Sequence, residues 1–215
     1  MAAPNDILSA VKKAITLAWA LVACLHAHAA SVSVSVADNQ GAPLEDAAVW
    51  LVGKGTAGQR PRREGSIEQM NKLFVPPVTV VQVGTQVKFP NRDEVRHHVY
   101  SFSPAKRFEI KLYSGTPADP ILFDKPGEVV LGCNIHDHMI AYVWVVDSPH
   151  FAKSGKDGTA RIDDVPAGEY ELHAWHFAQA STPARAAVRI AGAENPRATV
   201  AITLRPMTPR PASPK

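Results

Sequence analysis

The sequence predicts an all-β protein built from two β-modules, and three observations support this fold class. Residues 31–36 alternate serine with valine, which places three valines on one face of a strand. Short runs rich in β-branched residues recur along the chain, and Gly, Pro, Asn and Asp separate them. A cysteine, two histidines and a methionine lie close together in the middle of the chain, between two such runs. This central stretch is expected to carry the function.

Length and composition fit an ordinary globular protein of one or two domains, with 215 residues, 46% hydrophobic and 20% charged. The formal net charge of +3 is too small to imply a nucleic-acid partner or an acidic membrane. No apolar run reaches the roughly 20 residues of a membrane span. Gly and Pro interrupt the basic residues 54–63, which favours a solvated loop, and the proline-rich residues 206–215 are expected to be a disordered tail.

The N-terminus has the parts of a secretory signal peptide. Lys12 and Lys13 precede an apolar run at residues 14–23, and an Ala-x-Ala cleavage site ends at Ala29. We therefore expect residues 1–29 to be a signal peptide and the mature protein to be periplasmic. The alternative is a lipoprotein, because the residues up to Cys24 also resemble a lipobox. After cleavage at Ala29 one cysteine would remain, and a single thiol cannot form an internal disulfide.

The elements follow in order along the mature chain. Residues 31–36 are expected to form a half-buried edge or outer strand, and a turn at 38–44 leads to a second strand at 47–52. Later, a Pro-Gly turn at 126–127 begins a short apolar strand that delivers Cys133 to the end of a sheet. The strands expected after this point lie at residues 141–146, 156–162, 165–175, 187–190 and 198–204.

Residues 133–139, with the sequence Cys-Asn-Ile-His-Asp-His-Met, place a thiolate, an imidazole and a thioether within seven residues. Such soft ligands suit copper. Cys, His and Met from one loop, completed by a second His from elsewhere, make the trigonal His2Cys site with a weak axial sulfur that is used for electron transfer. Either His97 or His98 can supply the missing ligand.

The segment from 66 to 147 resembles the cupredoxins, which are small blue-copper proteins, and its Cys-x2-His-x2-Met spacing is that of amicyanin. The overall pattern is closest to plastocyanin-like proteins labelled methylamine utilization proteins. The resemblance implies a Greek-key cupredoxin sandwich with one type 1 copper ion. The supporting residues are 83–89, Asn91, 97–99, Pro126, Gly127 and Cys133, and the implied ligands are His97, Cys133, His136 and, in the axial position, Met139.

The first histidine ligand stays open between two neighbours. The family pattern His-Asn-Val selects His97 and puts His98 in the Asn position. Strand alternation favours His98, because His98, Tyr100 and Phe102 share one face, which looks like the buried one. A bend at the ligand would remove this conflict in favour of His97. His138 matches no ligand position of the family and is expected to be a solvated loop residue.

The flanking strands resemble immunoglobulin-like or transthyretin-like sandwiches of the carboxypeptidase regulatory type. The resemblance is carried by a first part around Gly41 and Pro43 and a second part from Asp157 to Leu172. About a hundred residues separate them, so we expect the cupredoxin module, 66–147, to be inserted in or packed beside a discontinuous sandwich of residues 31–65 and 148–205. The alternative is one enlarged sandwich with extra strands.

The expected function is that of an exported single-copper electron carrier. In cupredoxins the matching histidine is exposed at its ring edge, so the resemblance implies a periplasmic redox protein, such as a cytochrome or oxidoreductase, that docks near His136. The sequence has no convincing catalytic set of residues, and the protein is not expected to be an enzyme. Two alternatives are a copper chaperone or storage protein, and an extracellular interaction module with a vestigial copper site.

Overall fold

The described residues form strands connected by turns and loops. The computed structural model describes residues 30–54, 56, 64–117, 119–180, 182–191 and 195–206. In this part of the chain, no helix is long and apolar enough to cross a membrane. The strands are β1 (Ala30–Asp38), β2 (Ala48–Gly53), β3 (Gly65–Ser66), β4 (Glu68–Met70), β5 (Leu73–Val75), β6 (Val78–Gln82), β7 (Thr85–Lys88), β8 (His97–Ser101), β9 (Phe108–Tyr113), β10 (Ile121–Phe123), β11 (Gly127–Gly132), β12 (Ile140–Val146), β13 (Phe151–Lys153), β14 (Thr159–Val165), β15 (Gly168–Trp175), β16 (Ala184–Ile190) and β17 (Arg197–Ile202).

Strands from the two ends of the described chain form two sheets, with the orders β14-β1-β17 and β13-β2-β15-β16. One apolar cluster lies between them, because alternate residues of each strand point inward. The valines at 32, 34 and 36 of β1 pack in this cluster with Leu51 of β2 and Leu172 of β15. We call this part of the molecule the flanking sandwich.

The central strands form a five-stranded sheet, β6-β12-β11-β8-β9, and a three-stranded sheet, β10-β7-β3. A second apolar cluster contains residues of both sheets, among them Val87, Phe123 and Val143. Cys133 and Met139 belong to the same cluster. We call this part the central sandwich, and its core reaches the loop between β11 and β12. A separate hairpin of β4 and β5 has Asn71 and Lys72 at its tip.

A third cluster, made mainly of aromatic rings, joins the two sandwiches. Tyr142 and Trp144 project from the face of β12 opposite to the central core. The ring of Tyr142 stacks on Phe177 with centroids 4.8 Å apart, and Trp144 stacks on Trp175 at 4.6 Å. Trp50 of β2 lies 5.4 Å from Trp144. The strand that follows the loop between β11 and β12 therefore packs on both sandwiches.

The structure corrects one expectation about the strands and leaves others untested. The first strand was expected at an edge or on the outside, but β1 lies between β14 and β17 and hydrogen-bonds to both. The division into residues 31–65 with 148–205 and residues 66–147 stays a prediction. The expected signal peptide, with Cys24, lies outside the described residues, as do the expected tail after residue 206 and residues 57–63 of the basic loop.

Candidate metal centre

The hairpin of β11 and β12 holds the loop that carries three of the four candidate ligands. Its last register pair is Gly132 with Ile140, so residues 133–139 form the connection. Gly132 lies directly against Tyr100, since a Cβ atom there would lie 2.7 Å from the ring and the Tyr100 side chain would have to shift. Cys133 follows directly and is only 4% exposed. The β-strand alternation thus turns the thiol into the core at the end of the sheet.

Three nitrogen and sulfur donors converge at this point. The Cys133 Sγ atom lies 3.9 Å from His97 Nδ1 and 3.9 Å from His136 Nδ1. The three donor atoms lie within 4.8 Å of one another. His97 comes from β8, and the other two come from the loop after β11. Residues separated by 36 positions in the sequence therefore meet at one site.

These distances fit a bound metal ion. Typical bonds to Zn²⁺ are about 2.3 Å from sulfur and about 2.0 Å from nitrogen, so two such donors at about 120° would be about 3.7 Å apart. The observed 3.9 Å from sulfur to each nitrogen is close to this separation. A thiolate with two imidazoles in a trigonal arrangement is the donor set of type 1 copper sites. The site thus has the chemistry and the spacing for one copper ion.

Met139 is placed beside this cluster in the core. Its side chain is 1% exposed and lies in the apolar cluster that also contains Cys133. Its backbone N–H donates to the carbonyl oxygen of His136 at 2.9 Å, which closes a tight turn in the loop. The turn brings the positions of the second imidazole and the thioether to the same end of the sandwich. The role of Met139 as axial ligand stays a prediction.

The structure separates the two neighbouring histidines of β8. His97 is fully buried and faces the thiol, together with the core residues Val99 and Ser101 on the same face. The expectation that His98, Tyr100 and Phe102 share the buried face is wrong, since Phe102 is 74% exposed. The pairing of β8 with β9 is irregular between His97 and Val99, which fits the bend expected if His97 is the ligand.

His98 points away from the cluster. Its Nε2 atom lies 2.9 Å from a carboxylate oxygen of Glu109 on β9, a separation that fits an ion pair although the alignment is not that of a hydrogen bond. His138 is exposed, with its ring centroid 6.0 Å from that of His136. The sequence interpretation of His138 as a loop residue outside the ligand set agrees with this placement.

The far side of the His97 ring contacts a carboxylate that the sequence interpretation missed. His97 Nε2 lies 2.7 Å from Asp93 Oδ2. Burial raises the pKa of Asp93, but hydrogen bonds from the backbone N–H groups of Lys72 and Asn71 and from His97 outweigh it and hold the pKa below its usual value. Asp93 is part of an Asx turn with Asn91, but that pattern alone does not predict contact with a ligand.

His136 is the most accessible of the three donor residues. Its ring is partly exposed, whereas His97 and Cys133 are buried. Desolvation lowers the pKa of His136, and electrostatic effects of His97, Lys72 and His138 lower it further, against an opposing effect of Asp93. A neutral imidazole is the form that binds a metal ion. Surroundings that disfavour the protonated ring therefore favour metal binding.

Comparisons with protein-family models and with curated proteins gave no match to this chain. Among solved structures, the chain is similar to a copper-containing nitrite reductase from Thermus scotoductus SA-01, with 26% identity over 45% of this chain and a TM-score of 0.37. This chain spans a quarter of that protein's length.

Two further solved structures are also similar to part of this chain. A purple cupredoxin from Nitrosopumilus maritimus shows 20% identity, covers 39% of this chain and 100% of its own, and has a TM-score of 0.34. A variant of amicyanin in its reduced Cu(I) form shows 16% identity over 46% of this chain and 98% of its own, with a TM-score of 0.36.

Proposed function

We propose that the cluster of His97, Cys133 and His136, with Met139 as axial ligand, binds one type 1 copper ion and that the protein carries single electrons. The observation that carries this proposal is the equal 3.9 Å separation of Cys133 Sγ from the Nδ1 atoms of both histidines. A soft, nearly trigonal donor set with a methionine in the adjoining core favours copper over hard cations such as Mg²⁺.

The scaffold suits electron transfer because it holds the donors in place. His97 is fully buried, and Cys133 is 4% exposed and packs in the apolar cluster of the central sandwich. Close packing limits how far such side chains can move. Copper bound here supplies the change between Cu(I) and Cu(II). A donor set held nearly fixed in both states requires little rearrangement when an electron enters or leaves.

The accessible edge of the site defines the proposed route for electrons. His136 is partly exposed, and Ile135 in the loop and Ile140 directly after it are 48% and 49% exposed. An apolar surface around a ligand ring suits brief contact with a redox protein. We include in the proposal a periplasmic partner that docks here, and export by the expected signal peptide of residues 1–29.

The proposal is tested by visible and paramagnetic resonance spectra of the chain starting at Ala30, loaded with Cu(II). We expect an intense thiolate-to-copper band and narrow copper hyperfine splitting, both abolished in Cys133→Ser. The matched control is His138→Ala, which removes an exposed imidazole from the same loop and should keep the band. A colourless protein that binds only Cu(I) would indicate copper storage or transfer, and a protein that binds no copper would move attention to the flanking sandwich.

A further inference from the structure

The carboxylate of Asp93 contacts three hydrogen-bond donors at once. Its Oδ1 atom accepts the backbone N–H of Asn71 at 2.7 Å, and its Oδ2 atom accepts the N–H of Lys72 at 2.9 Å. The same Oδ2 atom lies 2.7 Å from His97 Nε2. The Asp93 side chain is 13% exposed and the His97 side chain is fully buried, so water does not replace these contacts easily.

This contact determines which ring nitrogen of His97 is free. An ionised carboxylate only accepts hydrogen bonds, and two backbone donors already point at the Asp93 oxygens. Nε2 must therefore carry the proton that it shares with Oδ2. In a neutral imidazole the other nitrogen, Nδ1, then has a free lone pair. It is Nδ1 that faces Cys133 Sγ.

The same carboxylate fixes the tip of the β4–β5 hairpin. Asn71 and Lys72 have φ angles of 56° and 57°, the left-handed region that a two-residue type I′ turn requires. Neither residue is glycine, so this conformation has an energetic cost. Hydrogen bonds from both N–H groups to Asp93 offset the cost. The orientation of His97 and the shape of the hairpin tip thus depend on one side chain.

We propose that Asp93 is a positioning residue of the metal site: it fixes His97 with Nδ1 toward the metal and adds one negative charge next to the ligand. The proposal rests on the proposed copper function and deepens it. Carboxylates that accept from the remote nitrogen of a ligating histidine set its ring orientation and raise its basicity. The added negative charge stabilises Cu(II) relative to Cu(I) and lowers the reduction potential.

The first test uses the metal-free protein and does not depend on copper. Nitrogen-15 chemical shifts of the histidine rings report which nitrogen is protonated. We expect His97 to be protonated on Nε2 and free on Nδ1 in the unsubstituted protein, and to lose this preference in Asp93→Ala. The proposal is wrong if His97 of the unsubstituted protein carries its proton on Nδ1.

The second test compares copper affinity and reduction potential in matched variants. Asp93→Ala should bind Cu(I) about 10- to 100-fold more weakly in competition with a chromophoric chelator. Asp93→Asn keeps one acceptor oxygen, so it should keep more affinity than the alanine variant but show a raised potential, because the charge is gone. Asp124→Ala is the control, since it removes a carboxylate that pairs with Lys106 on the surface of the same sandwich.

These outcomes separate the proposal from the proposed function. If the unsubstituted protein binds no copper, the proposed function fails, and the tautomer of His97 still decides the role of Asp93. If copper binds but the Asp93 and Asp124 variants have equal affinities and potentials, Asp93 does not position the site. Lys72→Gly is the control for the hairpin tip. It removes the Lys72 side chain but keeps the left-handed turn and the backbone N–H that donates to Asp93.

Discussion

The hydroxyl of Tyr113 shows how the surroundings of one residue act on its ionisation. Tyr113 donates to the carbonyl oxygen of Phe89 at 2.7 Å and accepts from the side-chain amide of Gln69. Burial raises its pKa to about 12; the Gln69 hydrogen bond opposes this effect and the charge of Cys133 adds to it. The neutral phenol is therefore the form that the fold favours.

This shift predicts a loss of stability at high pH. The unfolded chain ionises Tyr113 near pH 10, while the folded protein holds the proton up to about pH 12. The stabilising contribution should be complete below pH 10 and should disappear as the pH rises to about 12. In urea unfolding of metal-free protein, the free-energy difference between the unsubstituted protein and Tyr113→Phe should shrink over this range. A difference that stays constant up to pH 12 would contradict the assignment.

Among the structural elements, the turn before β14 depends most directly on a glycine. Gly158 has a φ angle of +73°, and a Cβ atom there would lie 2.5 Å from the carbonyl oxygen of Val36 and 2.9 Å from Pro43. The backbone N–H of Val36 donates to the Gly158 carbonyl at 2.8 Å. The turn thus packs directly against the end of β1. Gly41 also has a positive φ, +87°, but its Cβ position is open.

These two glycines give a matched pair of substitutions. Gly158→Ala should reduce the free energy of unfolding by about 2–4 kcal/mol, since a left-handed alanine and an overpacked contact both contribute. Gly41→Ala should cost only about 1–2 kcal/mol, because conformation alone is affected. Urea unfolding measures both. Equal losses in the two variants would show that the close contact with β1 does not matter.

For the whole molecule, the aromatic cluster between the two sandwiches predicts cooperative unfolding. Trp144 contacts Trp175 and Trp50 across this boundary. Its indole nitrogen is buried and has no hydrogen-bond partner within the described part of the chain, so the ring contributes by packing. Because each sandwich covers apolar surface of the other, partial unfolding would expose that surface to water.

Trp144→Ala should therefore uncouple the two sandwiches. We expect the free energy of unfolding to fall by about 2–4 kcal/mol, somewhat less than for the loss of a fully buried tryptophan. Calorimetry should then show two thermal transitions instead of one. Trp144→Phe keeps an aromatic ring and loses no hydrogen bond, so a single transition at slightly lower temperature should remain. One unchanged transition in both variants would show that the cluster does not couple the sandwiches.

Local patterns predicted those parts of the molecule that depend on local chemistry. The serine-valine alternation of 31–36 identified β1 and its buried face, and the soft ligands of 133–139 identified the site. The strands that pair with β1 could not be predicted from local patterns, since β14 and β17 lie more than a hundred residues away in the sequence. The short strands β3, β4 and β5 also escaped prediction, because two or three residues carry too little periodicity.

The candidate site also contains residues that a local pattern predicts and residues that only folding brings together. Cys133, His136 and Met139 lie within one loop, so their spacing was informative. The family pattern selected His97, which the structure places beside the Cys133 thiol, whereas strand alternation favoured His98 because the sequence could not show which face of the strand was buried. Asp93 was missed entirely. Its role depends on a hairpin tip some twenty residues earlier in the chain, and that contact exists only after folding.

The pairing of β13 with β2 determines how long a connection the flanking sandwich can accommodate between these two strands. Phe151 lies opposite Trp50, and Lys153 lies opposite Ala48, so the chain returns next to the strand from which it departed. Everything between these strands is, topologically, the loop of one β-hairpin. The entropic cost of closing a loop rises by only about 0.6 kcal/mol for each doubling of its length. The connection between β2 and β13 can therefore contain the whole central sandwich while the two strands remain paired in one sheet.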